Sequence, residues 1–500
     1  MNLRSFLTSY YTVFALLFLG CIAESQAQGG LSQNRSSRGR DFYMTFMPNV
    51  HDGRQGGITD SLYIYITSEV PTSGVIRYRN RNRQLVTDNF SITNPNQIYV
   101  HRIYYLNVEL QGYFSGNGTP INFNNSQSER VAPQYVRVTA NQDVTVYGLN
   151  QGFLTSDAFL ALPVTSLGRE YVVMSYKSDA RGQNFTTSER DETSTPSQFA
   201  IVATQDATDV IVRPSDPVLF GGTVRELRVR LNEGESYLVQ ADPRTRDGLA
   251  DLTGSRVIAT KPVAVFGGHQ RATLPIEFKL MPLTSRDCLI EQMPGIETWG
   301  KRAFLTPLQR SSSEVEAASN LYRVLAAYDS TRVFLNGQPL ATLNAGQYFE
   351  APLTASGIIT ASDLILVAEF KKTSGAGNLI GDPFMLLIPT VEQYDRSYRF
   401  INVQVSDRDV RVAPTGQVYT EHFLTIVAPT NSLGSLRLDE QPVAVGNFQA
   451  IGNSGFSFAN ISVSGGVHTA RGDSAFAIYV YGYGVMNSYG YIGGGRLRII

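Results

Sequence analysis

Apolar and polar residues alternate along short runs throughout the chain, and this period of two predicts strands rather than helices. Four of the runs are alike in sequence: DVTVYG (143–148), PVAVFG (262–267), DLILVA (363–368) and FAIYVYG (476–482). Alternation turns one face of each strand toward a core and fixes the register of the strand. The four runs therefore predict equivalent half-buried strands in four copies of one unit.

Two further elements recur in the same order in every copy, as expected of an internal repeat. An aromatic strand opens each copy: GRDFYMTFMP (39–48), GREYVVMSYK (168–177), GKRAFLTPLQ (300–309) and DRSYRFINVQ (395–404). A hairpin-like pair of apolar runs follows: LYIYITSEVPTSGVIRY (62–78), FAIVATQDATDVIVRP (199–214), LYRVLAAYDSTRVFLNG (321–337) and FLTIVAPTNSLGSLRLDE (423–440). We therefore predict an all-β fold of about four tandem β-sandwich-like repeats, at residues 38–166, 167–298, 299–393 and 394–495.

Short, partly apolar links join the predicted repeats, and each link carries a proline five or six residues before the next repeat. Such links predict a rod or a compact array, not beads on a flexible string. Closure into a propeller-like ring is an alternative, although the repeats are longer than usual propeller blades. Within the third repeat, Asn336-Gly337 predicts a type I′ hairpin turn. Pro339 and Pro442 are expected on a sheet edge or at a strand start, where a missing N–H costs nothing.

The stretch ATKPVAVFGGHQ (259–270) allows two interpretations. One is a strand that leads into a ligand-binding loop, with His269 as a catalytic or metal-binding group. The other is a structural strand with a turn behind it. We favour the structural interpretation, because His269 has no counterpart in the other repeats and no helical pattern follows the Gly-Gly pair to hold a phosphate.

The first residues of the chain are typical of a signal peptide, with TVFALLFLG (12–20) as an apolar stretch too short to span a bilayer. We predict a signal peptide at residues 1–27, cleaved after Ala27, and a disordered arm at residues 28–37. An alternative is a lipoprotein acylated at Cys21, which follows a partial lipobox. Both routes predict a secreted or cell-surface protein.

Composition narrows the choice of partners and of stabilising bonds. A formal net charge of −1 gives no global field for a polyanion, so nucleic acid is not a predicted partner. No run after residue 27 is long and apolar enough to cross a membrane, so no transmembrane span is predicted in the mature chain. Once Cys21 is removed only Cys288 remains, which permits no internal disulfide. The sequence leaves the oligomeric state open.

The reactive side chains form no recognisable catalytic or metal motif. The five histidines, His51, His101, His269, His422 and His468, show no metal-ligand spacing, and no G-x-S-x-G motif occurs. Cys288 lies among apolar residues and is expected to be a buried, inert thiol. Asp242, Asp247 and Asp251 could offer oxygens to calcium, but their spacing is not that of an EF-hand loop. We therefore predict no catalytic, cofactor-binding or metal-binding residues and no enzyme activity.

One tripeptide is a weak candidate for binding. ARGDS (470–474) contains Arg471, Gly472 and Asp473, the Arg-Gly-Asp sequence that integrins recognise on exposed turns. The tripeptide is expected in a turn before the last alternating strand, which would expose it.

Two longer motifs carry a family resemblance: DLTGSRVIATKPVAVFGGHQ (251–270) and EQMPGIETWGKRAFLTPL (291–308). Together with GREYVVMSY (168–176), they are similar to the signature of the IgG Fc-binding protein N-terminal domain family. The similarity is clearest over residues 160–390. The resemblance implies an extracellular, β-rich binding module and brings no catalytic residues. Where family members tend to have Asp-His-Leu, this chain has Asp-Cys-Leu at 287–289, which puts a shared site there in doubt.

These observations favour a secreted or cell-surface recognition and adhesion protein that binds an extracellular protein or glycan without catalysis. Strand cores repeat along the chain, while the intervening loops differ in length and charge. One alternative is a secreted carbohydrate-active or proteolytic enzyme whose carboxylates meet at a repeat junction, because sequence alone does not exclude such convergence. Another is a structural component of an extracellular layer.

Overall fold

The computed structural model describes residues 35–51, 60–95, 97–113, 122–180, 194–277, 285–314, 320–374, 380–411 and 413–499. The predicted signal peptide and residues 28–34 of the predicted arm lie outside the described residues. Nearly all regular structure in the described chain is β strand, and all its sheets are antiparallel. The predicted all-β fold class is confirmed.

The strands fall into four groups along the chain. Group 1 has β1 (Gly39–Met44), β2 (Ser61–Ser68), β3 (Thr72–Arg79), β4 (Leu85–Ile92), β5 (Tyr99–Tyr104), β6 (Val131–Ala132), β7 (Tyr135–Gln151) and β8 (Ser156–Ala161). Group 2 has β9 (Glu170–Val172), β10 (Ser197–Ala203), β11 (Thr208–Arg213), β12 (Leu227–Leu231), β13 (Ser236–Gln240), β14 (Arg256–Ala259), β15 (Val263–Ala272) and β16 (Asp287–Gln292).

The second half of the chain forms groups 3 and 4. Group 3 has β17 (Gly300–Leu305), β18 (Leu321–Ala326), β19 (Thr331–Leu335), β20 (Gln338–Leu343), β21 (Tyr348–Pro352), β22 (Gly357–Phe370) and β23 (Met385–Ile388). Group 4 has β24 (Asp395–Asn402), β25 (Tyr419–Pro429), β26 (Arg437–Leu438), β27 (Gln441–Pro442), β28 (Gln449–Ala450), β29 (Phe456–Val463), β30 (Gly466–Gly484) and β31 (Asn487–Ile492).

In the described part of the chain, helical structure is limited to short pieces in the connections. One α-helical turn, α1 (Tyr105–Val108), follows β5. The described 3₁₀ turns are Phe123–Asn125, Val164–Ser166, Arg246–Gly248, Ile296–Thr298, Val391–Gln393, Thr430–Ser435 and Val445–Asn447.

Every group has the same seven-strand plan, here lettered A to G in chain order. The long F strand is the centre of the plan: β7 in group 1, β14 with β15 in group 2, β22 in group 3 and β30 in group 4. Its first half pairs with A and C, and D adds to C. Its second half pairs with B and G, and E adds to B. Each group thus has an A-F-C-D half and an E-B-F-G half, the two layers of a sandwich-like unit.

A shared irregularity shows that the four copies are equivalent residue by residue. In group 1, Gly39 pairs with Val144 but Asp41 pairs with Thr139, so an advance of two residues along A corresponds to five residues along F. The same step separates the pairs of Gly300 and Arg302 in group 3. The same step of two residues against five separates the partners of Asp395 and Ser397 in group 4. In group 2, the pairing of β9 with β14 fits the same step. A bulge of this kind is where the F strand bends from one layer to the other.

The predictions of a turn at Asn336-Gly337 and of edge positions for Pro339 and Pro442 are confirmed. Asn336 and Gly337 have φ values of 52° and 79°, as both central residues of a type I′ turn require. Pro339 lies in β20 and Pro442 in β27, and each of these strands is the end strand of its sheet.

The four groups close into a ring around their G strands. β8 contacts β16 and β31, and β23 contacts the same two strands, so every G strand touches both of its neighbours. The two ends of the ring meet where Ser36 pairs with Arg496 and the Ser37 N–H donates to the Gly495 carbonyl at 3.0 Å. Of the arrangements that the sequence allows, the structure therefore has the compact one, closed like a propeller.

Hydrophobic packing continues across the junctions between groups. One apolar cluster joins group 1 to groups 2 and 4, a second joins groups 2 and 3, and a third joins groups 3 and 4. Trp299, the single tryptophan of the chain, is buried in the second cluster. Because the clusters are shared, each group is stabilised by its neighbours as well as by its own two layers.

Candidate functional site

A buried carboxylate marks the centre of the ring. Asp157 of β8 is fully buried and accepts hydrogen bonds from four backbone N–H groups. The donors are Ala158 at 2.8 Å, Ile290 at 3.0 Å, and Met385 and Gly490 at 3.4 Å each. These four residues occupy equivalent positions on the four G strands, so a pseudo-four-fold axis passes through the carboxylate. Burial raises the pKa of Asp157, and the four N–H donors oppose that rise.

Two more carboxylates lie one layer away along the same axis. Asp287 and Asp382 are fully buried, and the register places them at equivalent positions of groups 2 and 3. The Cys288 N–H donates to Asp287 at 2.8 Å, and the Ser156 N–H donates to the same oxygen. Burial raises the pKa of both carboxyls, to about 7 for Asp382. Carboxylates do converge at the repeat junction, but inside the core and not in a cleft that a substrate enters.

Variable connections gather at one end of the G strands. In every group, B and G begin and E and F end at this same end of the E-B-F-G half. Because the four G strands run side by side in equivalent register, these ends lie on one side of the ring. We call this side the loop face.

Connections on the loop face differ strongly between groups. The F–G connection is residues 152–155 in group 1 and 485–486 in group 4, but 273–286 in group 2 and 371–384 in group 3. The A–B connection is residues 45–60, 173–196, 306–320 and 403–418 in chain order. Loops of unequal length on a common scaffold are the usual place for binding residues.

The stretch with His269 is a structural strand, as the favoured interpretation predicted. β15 runs through Gly267, Gly268 and His269 without a break and pairs with β10 and β16. A Cβ atom on Gly268 would overlap the carbonyl oxygen of Leu289, so only glycine fits there. Burial lowers the pKa of His269 to about 4, which leaves the ring neutral. The ring accepts a hydrogen bond from the Arg271 N–H at 3.0 Å.

His51 is held between two carboxylates at the loop-face end of group 1. Its Nδ1 lies 2.8 Å from Asp60 Oδ1, and its Nε2 lies 2.8 Å from Glu109 Oε2. The ring stacks on Tyr105 at 3.8 Å between centroids and is fully buried. Burial would lower the pKa of His51, but Glu109 and Asp60 outweigh it and raise the pKa to about 9. With an acceptor at each nitrogen, the ring is an imidazolium that donates to both.

We expect this imidazolium to make stability fall at alkaline pH. The folded pKa of about 9 lies above the unfolded value of about 6.5. The contribution is therefore fully present below pH 6.5 and is lost as the pH rises through 9. At about 1.4 kcal/mol per pKa unit, the loss is on the order of 3 kcal/mol. Urea unfolding of the wild type and of His51→Gln at pH 6, 7.5 and 9.5 measures it.

The difference between the two proteins isolates the titration of this one ring. The gap in unfolding free energy should be large at pH 6 and nearly closed at pH 9.5. His101→Gln is the matched control, because His101 is also in group 1 and burial lowers its pKa. A gap that stays constant over this pH range would show that His51 is not charged in the fold.

Each of the three remaining histidines lies next to a different side chain. His101 is 3.5 Å from Asp88, His422 is 3.0 Å from the Tyr489 hydroxyl, and His468 is 2.6 Å from Asp439. Within the described residues, no group of three or more His, Cys, Asp or Glu side chains is arranged to hold a metal ion. The absence of a metal site and of a cofactor site remains a prediction for the whole chain.

Arginines account for two carboxylates of the acidic cluster in group 2. Asp242 pairs with Arg244 at 2.7 Å, and Asp251 pairs with Arg323 at 2.9 Å. Asp247 lies in a 3₁₀ turn with φ of 53°. The Asp251–Arg323 pair gives part of the cluster a structural role at the junction of groups 2 and 3.

The Arg-Gly-Asp tripeptide does not lie in a turn, so that expectation was wrong. Arg471, Gly472 and Asp473 lie inside β30 (Gly466–Gly484), within its bend from one layer to the other. Strand F runs through this bend without interruption, which the sequence pattern did not reveal. The side chains of Arg471 and Asp473 are exposed, and Arg471 lies 3.4 Å from Glu440. Binding by these residues stays a prediction.

Cys288 lies in β16 beside the axis. It is a free, buried cysteine, and burial raises the pKa of its thiol. These properties fit the inert thiol that its apolar neighbours predicted.

Within the described residues, no helix has both the length and the hydropathy to cross a bilayer.

Comparisons with known proteins agree with this architecture. The model of the family described as IgGFc binding protein matches residues 157–482, which run from strand G of group 1 to strand F of group 4. A curated protein of Homo sapiens, the IgGFc-binding protein, is 25% identical over 359 residues. The aligned region is 69% of this chain but 6% of that protein, so the chain spans a small part of its relative. Because the family model covers more than half of the sequence and includes all of groups 2 and 3, this chain belongs to the IgGFc-binding protein family.

Proposed function

We propose that the chain is a secreted or cell-surface recognition protein whose loop face binds an extracellular protein or glycan, without catalysis. The observation that carries the proposal is the contrast between the two parts of each group. Strand register and the central axis are the same in all four groups, whereas the loop-face connections differ in length. Family membership supports an extracellular binding role, since the human relative is named for binding IgG Fc.

Burial of the central carboxylates supports a non-catalytic role. Asp157, Asp287 and Asp382 each have 0% exposure, and Asp157 and Asp287 accept hydrogen bonds from the backbone of neighbouring G strands. A general acid or nucleophile must reach the substrate to act. This burial favours the non-catalytic proposal over the alternative enzyme hypothesis.

Export is part of the proposal. Cleavage after Ala27, or acylation of Cys21, would deliver the described ring to the cell exterior. The absence of a disulfide from the mature chain fits a protein that is stabilised by its shared apolar clusters. Mass spectrometry of the mature N-terminus distinguishes the two processing routes.

The test compares two pairs of matched substitutions in the full chain. Leu106 and Val410 are 40% and 71% exposed on the loop face of groups 1 and 4, which adjoin in the ring. Val70 and Val445 are 47% and 53% exposed at the opposite end of the same groups. We expect Leu106→Asp with Val410→Asp to weaken ligand binding at least about tenfold, because buried apolar contacts dominate recognition. We expect Val70→Asp with Val445→Asp to leave binding unchanged.

Binding is measured on an array of extracellular glycans and proteins, with IgG Fc included because the human relative is named for it. Any probe that binds the wild type is then titrated against both double variants. Equal weakening by the two pairs, or weakening by the control pair alone, would contradict recognition through the loop face. Thermal unfolding of all proteins shows that the rings are intact.

A further inference from the structure

A cavity of about 100 Å³, partly open to solvent, lies on the loop face of group 3 where it adjoins group 4. On the same measure one water molecule needs only about 10 to 15 Å³. The cavity therefore has room for a group of the size of one sugar ring. Its walls come from the A–B, E–F and F–G connections of group 3, and from the end of strand F in group 4. They include Gln309, Glu314, Asn320, Thr354, Lys371 and Tyr483.

Positive charge is concentrated at this cavity. The Lys371 side chain lines it and is only 2% exposed, and Lys372 is buried beside it. Both face one carboxylate, Glu314, with Nζ to Oε distances of 3.1 Å for Lys371 and 3.5 Å for Lys372. Arg310 adds a third cation at the rim.

The described residues do not use the hydrogen-bond donors of the Lys371 ammonium. Its ammonium carries three N–H groups, yet its position opposite Glu314 does not meet hydrogen-bond geometry, and it has no other hydrogen-bond partner among the described residues. Burial lowers the pKa of Lys371, and Glu314 only partly offsets this. A second carboxylate behind the cavity, Glu369, is bonded to Asn320 at 2.9 Å. Burial raises the pKa of Glu369 to about 8, so it is mostly neutral at pH 7, and the two lysines share the carboxylate of Glu314.

The other walls of the cavity fit a carbohydrate. The Tyr483 ring lies 5.9 Å from Lys371 Nζ, and its hydroxyl donates to the Gln309 carbonyl at 2.8 Å. Leu308 and Leu353 supply apolar surface, while the Asn320 amide and the Thr354 hydroxyl supply neutral polar groups. An acidic protein side chain would use only the cations. A sugar with a carboxylate would use the cations, the apolar surface and the neutral polar groups together, while the buried Tyr483 ring forms the back of the cavity.

We propose that this cavity binds the carboxylate-bearing residue of an acidic saccharide, with Lys371 as the buried partner of the carboxylate. The proposal rests on the proposed function, because it names the ligand class for one part of the loop face. Glu314 holds the two lysines in place and competes with the ligand for their charge.

The first test measures binding of three small probes to the full chain by calorimetry or saturation-transfer NMR. The probes are methyl glucuronide, the neutral methyl glucoside and acetate. We expect methyl glucuronide to bind at least about tenfold more tightly than either other probe, a factor that corresponds to about 1.4 kcal/mol. Acetate binding as tight as that of the glucuronide would overturn the saccharide assignment. Failure of the glucuronide to bind would overturn the site.

The second test uses variants with opposite expected effects. Lys371→Met keeps an unbranched apolar side chain but removes the ammonium, and it should weaken glucuronide binding at least about tenfold. Glu314→Gln removes the competing charge and should tighten binding. Lys301→Met is the control, because Lys301 is 46% exposed and lies 3.7 Å from Asp363 outside the cavity. It should leave the affinity unchanged.

These outcomes separate a ligand site from a structural ion pair. If Glu314→Gln and Lys371→Met weakened binding equally, the pair would be structural and the proposal would be overturned. The array experiment with Leu106 and Val410 does not involve this cavity. If that experiment succeeds and no glucuronide binds here, only the assignment of this cavity fails.

Discussion

Replacing Asp157 by asparagine is expected to lower the free energy of unfolding by about 2 to 6 kcal/mol. Each carboxylate oxygen now accepts two backbone N–H groups, one from Ala158 and Gly490, the other from Ile290 and Met385. An amide nitrogen at either position would face two donors instead of accepting from them. Two buried N–H groups would then lack partners, at about 1 to 3 kcal/mol each. Urea unfolding followed by the fluorescence of the single tryptophan measures the change.

Asp143→Asn is the matched control for this substitution. Asp143 is on strand F of group 1, which pairs with the strand G that carries Asp157; its side chain is 62% exposed, and it pairs with Arg40 at 2.8 Å. Exposed pairs of this kind contribute at most about 1 kcal/mol. Should the two substitutions cost the same, the four donors would not depend on the charge of Asp157, and its central role would be refuted.

Replacing Arg323 by methionine is expected to cost about 3 to 5 kcal/mol, the usual effect of leaving buried carboxylates unpaired. The guanidinium is fully buried and lies 2.9 Å from Asp251 of group 2 and 2.6 Å from Glu350 of group 3. It is stacked 4.5 Å from the centre of the Tyr176 ring and 4.2 Å from that of Tyr348. Burial would raise the pKa of both carboxyls, but Arg323 more than offsets it and holds both below their usual values.

The cause of this loss can be checked by removing the carboxylates as well. Arg323→Met combined with Asp251→Asn and Glu350→Gln should recover much of the lost stability, because the two carboxylates that Arg323 pairs with are then uncharged. Arg332→Met, on an exposed position of β19, is the control and should have little effect. If the triple variant is no more stable than Arg323→Met, the loss comes from packing of the guanidinium between the rings and not from charge.

Strand positions were predictable from the sequence because each depends on local alternation. Asn336-Gly337 shows the same for a turn, since a type I′ turn requires positive φ at both central residues and Asn and Gly adopt it readily. Closure of the ring was not predictable, because it depends on contacts among G strands separated by about a hundred residues of chain. The bend in strand F was missed for a related reason: the Arg-Gly-Asp segment has turn-like composition, and pairing to strands A and C keeps it in a strand.

The sequence gives little indication of the residues at the ring centre, at the junction of groups 2 and 3, and in the cavity. Asp157 in SDAFLA and Arg323 in LYRVLA are single charges within runs that are otherwise buried. A lone charge at such a position indicates a buried partner, but the partner is supplied by another group and is not adjacent in sequence. Lys371 gave no such signal, because it follows strand F and reads as an ordinary loop residue.

Pairing of Ser36 and Ser37 with the last residues of the chain has a consequence for how such proteins diversify. An open stack can lengthen by one more copy at either end, whereas a rotationally closed assembly has a fixed membership. Inserting a fifth unit would force these termini apart and change the angle at every junction. New specificities are therefore expected to arise by altering the length and content of individual loops, while the number of units stays constant.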